Sequence, residues 1–114
     1  MNIKEICDIV GAKVVCGYQS MDKQIKNGFA SDLMSDVLTL DTDDLLLITG
    51  LTNMQTLRTA EMADISCVLF VRDKRVTPEM KKLAMENEMV LLECRYSMFR
   101  TVGLLFESGL KPIY

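Results

Sequence analysis

From Leu45 onward, the apolar positions fall into three short runs, separated by segments of helical periodicity. The runs are nearly continuous in Leu, Ile, Val, Cys and Phe, as in strands that are buried on both faces of a parallel sheet. They lie at Leu45–Thr49, 67–71 and Val90–Glu93. The helical segments cover residues 53–63, 78–88 and 97–108. The pattern predicts a β-α-β-α-β-α core from about residue 45.

The last two helices of this core begin with capping residues. The hydroxyl of Thr77 precedes Pro78, whose missing N–H costs nothing in a first helical turn. Ser97 stands in the same position before the last helix. The spacing of apolar residues then predicts two inward-facing stripes, formed by Met80, Leu83 and Ala84 and by Val102, Leu105 and Phe106.

The first third of the chain has a less regular pattern. Apolar residues at helical spacing predict a helix over residues 2–10, and Gly11 stands where a left-handed C-terminal cap is expected. Residues 13–16 are rich in β-branched side chains and predict a strand, and residues 24–30 predict a second extended stretch. A small α-β-β-α portion is therefore expected before the core.

A short helix is expected after the second extended stretch. Ser31 or Asp32 can cap it through a side-chain oxygen, and Leu33 and Val37 are then expected to face inward. Residues 41–44 read as an acidic turn. All these elements together predict one α/β domain over residues 1–114, with a small, mostly parallel sheet and flanking helices. Right-handed crossovers are compatible with helices on one face or on both, so the strand order stays open.

Charge and hydropathy exclude several classes of protein. The formal net charge is −3, and neither half of the chain is basic enough to predict a nucleic-acid interface. The longest apolar runs are far shorter than the roughly 20 residues that a membrane span requires. The N-terminus also lacks the basic and then apolar pattern of a signal peptide. We therefore expect a cytoplasmic protein that binds neither nucleic acid nor membrane.

The absence of histidine argues against catalysis. The chain has no histidine and four cysteines, so the commonest general base and metal ligand is missing. No two cysteines form a CxxC pair, and all four are expected to be buried apolar side chains. The acidic turn at residues 41–44 lacks the glycine and the distal glutamate of a calcium loop. We expect no enzymatic activity, no metal and no cofactor.

Several blocks of sequence resemble the DRTGG domain family. Residues 28–38 (GFASDLMSDVL) resemble an early block of that family, and residues 47–50 resemble the strand that precedes its Asp-Arg-Thr. Residues 67–71 resemble the strand before its Gly-Gly, and residues 97–102 resemble its closing helix. The resemblance covers nearly the whole chain. It implies a regulatory or scaffold role, a tendency to dimerise and a likeness to the N-terminal domain of HPr kinase, but no known reaction.

The chain departs from the family at both signature positions. Leu51-Thr52-Asn53 stands where the resemblance would place Asp-Arg-Thr, and Arg72-Asp73 stands where it would place Gly-Gly.

A candidate ligand site follows from the predicted parallel sheet. Ligands of open α/β sheets bind beyond the carboxyl ends of the strands, and three loops leave such ends. Their polar, cationic or glycine residues form the candidate set, namely Thr49, Gly50, Thr52, Asn53, Arg72, Lys74, Arg75, Arg95 and Ser97. Gly50 allows a close approach of backbone, the cations can bind a phosphate, and the ring of Tyr96 could support a base. The alternative is that these are solvated turns and that Thr52, Asn53 and Ser97 are only caps.

The sequence therefore predicts a non-enzymatic regulatory or sensory module. We expect a homodimer that binds a small anionic, phosphate-bearing ligand or a partner protein. The alternative is a purely structural interaction module or accessory subunit of a larger metabolic or redox enzyme, without a ligand.

Overall fold

The structure is a computed structural model and describes all residues, 1–114. Its five α-helices are α1 (Ile3–Val10), α2 (Met34–Val37), α3 (Met54–Met62), α4 (Pro78–Glu86) and α5 (Met98–Glu107). Its six strands are β1 (Lys13–Cys16), β2 (Asn27–Ala30), β3 (Leu45–Thr49), β4 (Cys67–Phe70), β5 (Val90–Glu93) and β6 (Lys111–Pro112). A 3₁₀ turn covers Tyr18–Ser20. None of the helices is both long enough and apolar enough to cross a membrane.

The strands form one six-stranded sheet in the order β1-β5-β4-β3-β2-β6. Strands β2 to β6 all run parallel to one another, and β1 pairs antiparallel with β5 at one edge. The three strands β3, β4 and β5 are internal and mutually parallel, as the sequence predicted. The α/β fold with a mostly parallel sheet and flanking helices is therefore confirmed.

Helices cover both faces of this sheet. One core cluster joins α1 and α5 to side chains such as Leu46, Leu69 and Leu92, and the other joins α2, α3 and α4 to the opposite side chains of the same strands, such as Leu47 and Phe70. Because successive strand residues point to opposite faces, covering both faces requires apolar residues at every position. This arrangement explains the nearly continuous apolar runs.

Helix α2 begins differently from the sequence prediction. Its N-cap is Leu33, which makes no side-chain capping bond, and the Leu33 side chain is exposed instead of buried. Ser31 Oγ accepts a hydrogen bond from the Leu33 N–H at 2.9 Å, whereas Asp32 bonds elsewhere. Val37 is buried as expected. The cap prediction was wrong because a tertiary contact holds the Asp32 carboxylate.

The inner stripe of α5 is also shifted from the predicted one. Leu105 is buried and Val102 partly buried, but Phe106 is exposed and Thr101 is buried in its place. Thr101 and Leu105 are four residues apart and share one face of the helix. The Thr101 hydroxyl lies 3.6 Å from Cys94 Sγ, which satisfies its polarity inside the core.

The four cysteines are free thiols. Cys16, Cys67 and Cys94 are buried, but Cys7 is only half-buried, so the expectation of four buried cysteines was wrong for Cys7. Burial raises the pKa of Cys67 to about 12. Burial also raises the pKa of Cys7, so its accessible part carries little thiolate at neutral pH.

Candidate functional site

Strands β2, β3, β4 and β5 end on the same side of the sheet because they are parallel. We call this side the carboxyl edge and define it by the loops that leave these strands, residues 31–33, 50–53, 71–77 and 94–97. Helices α2, α3, α4 and α5 each begin after one of these loops. The edge is the place where ligands of open α/β sheets bind.

The carboxylate of Asp32 connects three of these loops. Its Oδ1 accepts hydrogen bonds from the Gly50 N–H at 2.7 Å and from the Thr49 hydroxyl at 2.9 Å. Its Oδ2 lies 3.3 Å from Nη2 of Arg72. The sequence analysis favoured a helix cap for Asp32 and did not include it in the candidate site. The signal that could have found it is its position directly after β2, beside the ends of the neighbouring parallel strands.

Gly50 makes room for the Arg72 side chain. A Cβ atom built at Gly50 would overlap the guanidinium of Arg72, so the absence of a side chain allows that group to lie against the loop. The sequence predicted that Gly50 allows a close approach of backbone at a ligand site, but the group that lies against Gly50 is a side chain. This side chain belongs to an arginine of the same chain.

Arg72 and Asp73 are two consecutive residues in the left-handed region, with φ of 65° and 59°. Their N–H groups donate to the carbonyl oxygens of Tyr96 at 2.8 Å and Cys94 at 3.0 Å. Glycine adopts this backbone freely, whereas other residues are strained in it. These are the positions where the family resemblance would place Gly-Gly, so the loop keeps the left-handed backbone that two glycines would favour. The two hydrogen bonds tie it to the end of β5.

The Asp32 carboxylate is held in its charged form. The Gly50 N–H lowers its pKa most, and the Thr49 hydroxyl and the Arg72 guanidinium lower it further, against the opposing effect of partial burial. The three donors therefore form a cradle for an anionic oxygen, and Asp32 occupies it.

Three of the predicted site residues serve the loops themselves. Thr52 Oγ1 donates to the Gly50 carbonyl at 3.3 Å. Asn53 caps α3 by accepting from the Thr56 N–H at 3.0 Å, and Ser97 caps α5 by accepting from the Arg100 N–H at 3.2 Å. These side chains shape the edge, as the alternative interpretation of the sequence proposed.

The remaining predicted cations differ in their partners. Arg75 Nη1 lies 3.0 Å from Asp73 Oδ1 and 3.9 Å from Oε1 of the buried Glu93. Glu93 Oε2 in turn accepts from the Val76 N–H at 2.7 Å, so Arg75 balances a buried charge. Lys74 and Arg95 form no ion pair and no side-chain hydrogen bond within the chain. Their charges are therefore available to a ligand.

The ring of Tyr96 is already covered by a cation. The guanidinium carbon of Arg100 lies 3.8 Å from the ring centroid, which is a cation–π contact. Arg100 was missed from the sequence, although it lies four residues after Tyr96. Arg95 and Tyr96 also line an open recess of about 380 Å³ with Val10 and Gly11. The face of Tyr96 under Arg100 is therefore not free for a base.

The contacts of Asp32 predict that its negative charge stabilises the folded chain. Replacing Asp32 with asparagine is expected to lower the free energy of unfolding at pH 7 by about 1 kcal/mol. Hydrogen bonds to a buried charged group contribute more than this, and the solvent exposure of Asp32 reduces their contribution. The pKa of Asp32 is lower in the folded than in the unfolded chain. Its stabilisation is therefore present above the unfolded pKa of about 4 and is lost as the pH falls through the folded value.

The measurement is urea denaturation of wild type and Asp32→Asn at pH 7 and at low pH. The difference between the two proteins is expected to shrink at the lower pH. Asp36→Asn is the control, since the Asp36 side chain makes no ion pair or hydrogen bond. A difference that is the same at both pH values would contradict the assigned role of the carboxylate.

Comparison with proteins of known structure identifies one that has a similar fold. The crystal structure of the CBS and DRTGG domains of the regulatory region of Clostridium perfringens pyrophosphatase, complexed with its activator diadenosine tetraphosphate, superimposes with a TM-score of 0.74 at 12% sequence identity. The match covers 94% of this chain and 46% of that chain, so this chain spans about half the length of its structural neighbour. At this identity the likeness concerns the fold alone.

Comparison of the sequences identifies the family. No curated protein matches this sequence closely enough to be counted as a relative. The family model described as the DRTGG domain, however, matches residues 5–108. That range includes the Asp32 cradle, the left-handed Arg72-Asp73 pair and all four loops of the carboxyl edge. The chain therefore belongs to the DRTGG domain family.

Proposed function

We propose that this chain is a non-catalytic regulatory module that binds a small phosphate-bearing ligand at the carboxyl edge of its sheet. The observation that carries the proposal is the cradle formed by the Gly50 N–H, the Thr49 hydroxyl and the Arg72 guanidinium. It holds a carboxylate of the chain itself, so this edge is built to stabilise anionic oxygen. Lys74 and Arg95 have no internal partner and supply the charge for an external anion.

The distribution of charge supports the proposal. The four loops of the carboxyl edge contain four cationic side chains and two carboxylates, and the buried Glu93 at the end of β5 adds a third carboxylate, which leaves an excess of one positive charge. The whole chain has a net charge of −3. The edge is therefore positive on a molecule that is negative elsewhere, which concentrates small anions there.

Helix termini act in the same direction. The N-termini of α3, α4 and α5 all lie at the carboxyl edge. Each helix end has the equivalent of about half a positive charge from its unpaired N–H groups. An anion bound beside one of these termini is stabilised by its free N–H groups in addition to the nearby cations.

The class of ligand to test first comes from the structural neighbour. The regulatory region of that pyrophosphatase was crystallised with a dinucleoside polyphosphate activator. A nucleoside polyphosphate combines several phosphate oxygens with a base, and the recess beside Tyr96 offers a place for the base next to the positive loops. We expect this class to bind better than inorganic phosphate.

The side chains support regulation without catalysis. No histidine is present, and burial raises the pKa of the Cys16 and Cys67 thiols, whereas a nucleophilic cysteine has a depressed pKa. At the carboxyl edge the Thr49 hydroxyl donates to the Asp32 carboxylate, but the Gly50 N–H and the Arg72 guanidinium keep the pKa of that carboxylate low, which makes it a weak base. The edge is therefore better suited to binding and orienting an anion than to transferring a proton.

The test is a thermal-shift titration with nucleoside mono-, di- and triphosphates, dinucleoside polyphosphates and inorganic phosphate. A ligand at 100 times its Kd stabilises the folded state by about 2.7 kcal/mol, a rise in Tm of several degrees. The variant Lys74→Ala/Arg95→Ala is expected to lose two charged contacts of about 1.5–3 kcal/mol each, and hence at least two orders of magnitude in affinity.

The matched control is Lys81→Ala/Lys82→Ala, which removes two exposed cations from α4. This control is expected to keep the ligand-induced shift in Tm. If no phosphate-bearing compound stabilises the wild-type protein, the ligand part of the proposal fails.

We also infer that the module acts as a homodimer. The exposed side chains of Phe99 and Phe106 favour an interaction role. If no ligand binds, the second candidate is a purely structural interaction module or accessory subunit of a larger metabolic or redox enzyme.

A further inference from the structure

We propose that the outer face of α5 is a homodimer interface, in which α5 packs antiparallel against α5 of a second copy and crosses it at Gly103. This inference rests on the homodimer part of the proposed function and is independent of the ligand. It names the surface, the partner and the orientation.

The outer face of α5 is apolar where a solvent-exposed helix face is normally polar. Phe99 is 91% exposed and Phe106 is 65% exposed. They are seven residues apart and therefore lie about two turns apart on one side of the helix. Burial of a phenylalanine side chain removes a large apolar area from water, so two such residues on one face favour association.

Gly103 lies between these two phenylalanines. It is four residues after Phe99 and three before Phe106, and it is exposed in the middle of α5. A Cβ built at Gly103 would meet no atom within 4 Å, and its backbone is helical. Glycine destabilises a helix relative to alanine, and no contact within this chain requires it. A close approach by the backbone of another helix does require it.

The charges on this face select a second copy in antiparallel orientation. Arg100 precedes Gly103 by three residues and Glu107 follows it by four. A two-fold axis through Gly103 places residues before it opposite residues after it, so Arg100 lies near Glu107 of the second copy. A parallel pairing would place like charges together. The same symmetry brings Phe99 near Phe106 of the second copy.

The Arg100 side chain can take part in this interface from its present position. Its guanidinium carbon lies 3.8 Å from the centroid of the Tyr96 ring, and this contact restricts the arginine, which makes no hydrogen bond or ion pair through its guanidinium within the chain. An arginine fixed in this way loses less rotamer freedom when it binds a carboxylate.

An apolar cleft beside α5 extends the interface. It is lined mainly by apolar residues of β2, α5 and the C-terminal segment, among them Phe29, Val102, Phe106, Leu110 and Pro112. Stable interfaces cover about 800 Å² on each partner, more than one face of a ten-residue helix offers. The cleft is continuous with Phe106 and supplies further apolar surface for the second copy.

The first test is sedimentation velocity over a concentration series, for wild type and Gly103→Leu. Leucine has open space at this position in the single chain and favours the helix, so the fold and the Tm of the monomer are expected to be kept or improved. It blocks the close crossing, and we expect at least a tenfold rise in the dimer Kd. Circular dichroism verifies that the variant is folded.

The second test exchanges charges. Arg100→Glu and Glu107→Arg are each expected to weaken the dimer, and the double variant is expected to restore most of the affinity. The two residues are too far apart on the helix to pair within one chain, so this rescue reports contact between copies. Phe99→Ser is expected to weaken the dimer as well, and Leu33→Ser, which replaces an exposed apolar residue at the start of α2, is the matched control.

Two outcomes would overturn the inference in different ways. A wild-type protein that is monomeric at all concentrations defeats this interface and the homodimer part of the proposed function together. A dimer that is unaffected by Gly103→Leu and Phe99→Ser defeats only the α5 interface. Neither outcome changes the result of the ligand titration, which depends on Lys74 and Arg95.

Discussion

Replacing Met80 with alanine is expected to lower the free energy of unfolding by about 2–5 kcal/mol. Met80 is on the inner face of α4, is fully buried and belongs to the core cluster that includes Phe70 and Leu91. Alanine would remove its contacts and leave a cavity that close-packed neighbours fill only partly. Urea denaturation monitored by circular dichroism measures the loss.

The control for this prediction is Met85→Ala on the same helix. Met85 is 61% exposed, and the substitution is expected to change stability by less than about 0.5 kcal/mol. Both substitutions remove the same atoms and change the helix propensity by the same amount. The difference between their losses in free energy of unfolding therefore measures the effect of burial. Equal effects of the two substitutions would show that α4 does not present its Met80 face to the sheet.

Replacing Gly17 with alanine is expected to cost about 2–4 kcal/mol, from left-handed strain together with overpacking. Gly17 has φ of 93° and follows β1. A Cβ there would lie 2.7 Å from Val90 Cγ2 and 2.9 Å from Val90 Cα. Val90 belongs to the internal strand β5, so its backbone has little freedom to move aside.

Gly11→Ala separates the two causes of this loss. Gly11 is also left-handed, with φ of 64°, and ends α1. The nearest atom to its Cβ would be the Tyr96 hydroxyl oxygen at 3.9 Å, an ordinary contact. We expect Gly11→Ala to show only the backbone strain of about 1–2 kcal/mol. If Gly17→Ala costs no more than Gly11→Ala, the close packing of Gly17 on β5 is wrong.

Local chemistry accounts for the elements that were predicted well. The apolar runs that became β3, β4 and β5 are recognisable because both faces of the sheet are covered, so every position must be apolar. The starts of α4 and α5 are recognisable because Thr77 and Ser97 satisfy free N–H groups a few residues away. Both signals involve neighbours in the sequence, and neither needs knowledge of the tertiary fold.

The candidate site was predictable in location but not in detail. The rule for parallel strands placed the loops around Gly50 and Arg72 on one edge, and the structure brings these two residues into contact. The role of Asp32 was missed because its side chain had two possible acceptor roles, a local helix cap or a bond to Gly50. The sequence around Asp32 contains nothing that decides between them. The prediction for Phe106 failed for a similar reason. The sequence shows that α5 has an apolar stripe, but it does not show which residues at the border of that stripe face the core.

The sequence by itself determined the element types between residues 45 and 108, the parallel direction of the core strands and the positive character of their loops. These depend on periodicity, capping and residue charge, which act over a few residues. Only the tertiary structure decided the strand order, the antiparallel pairing of β1 with β5, the cradle around the Asp32 carboxylate and the exposed face of α5. Each of these joins residues that are far apart in the chain, and their geometry is set by how the layers pack.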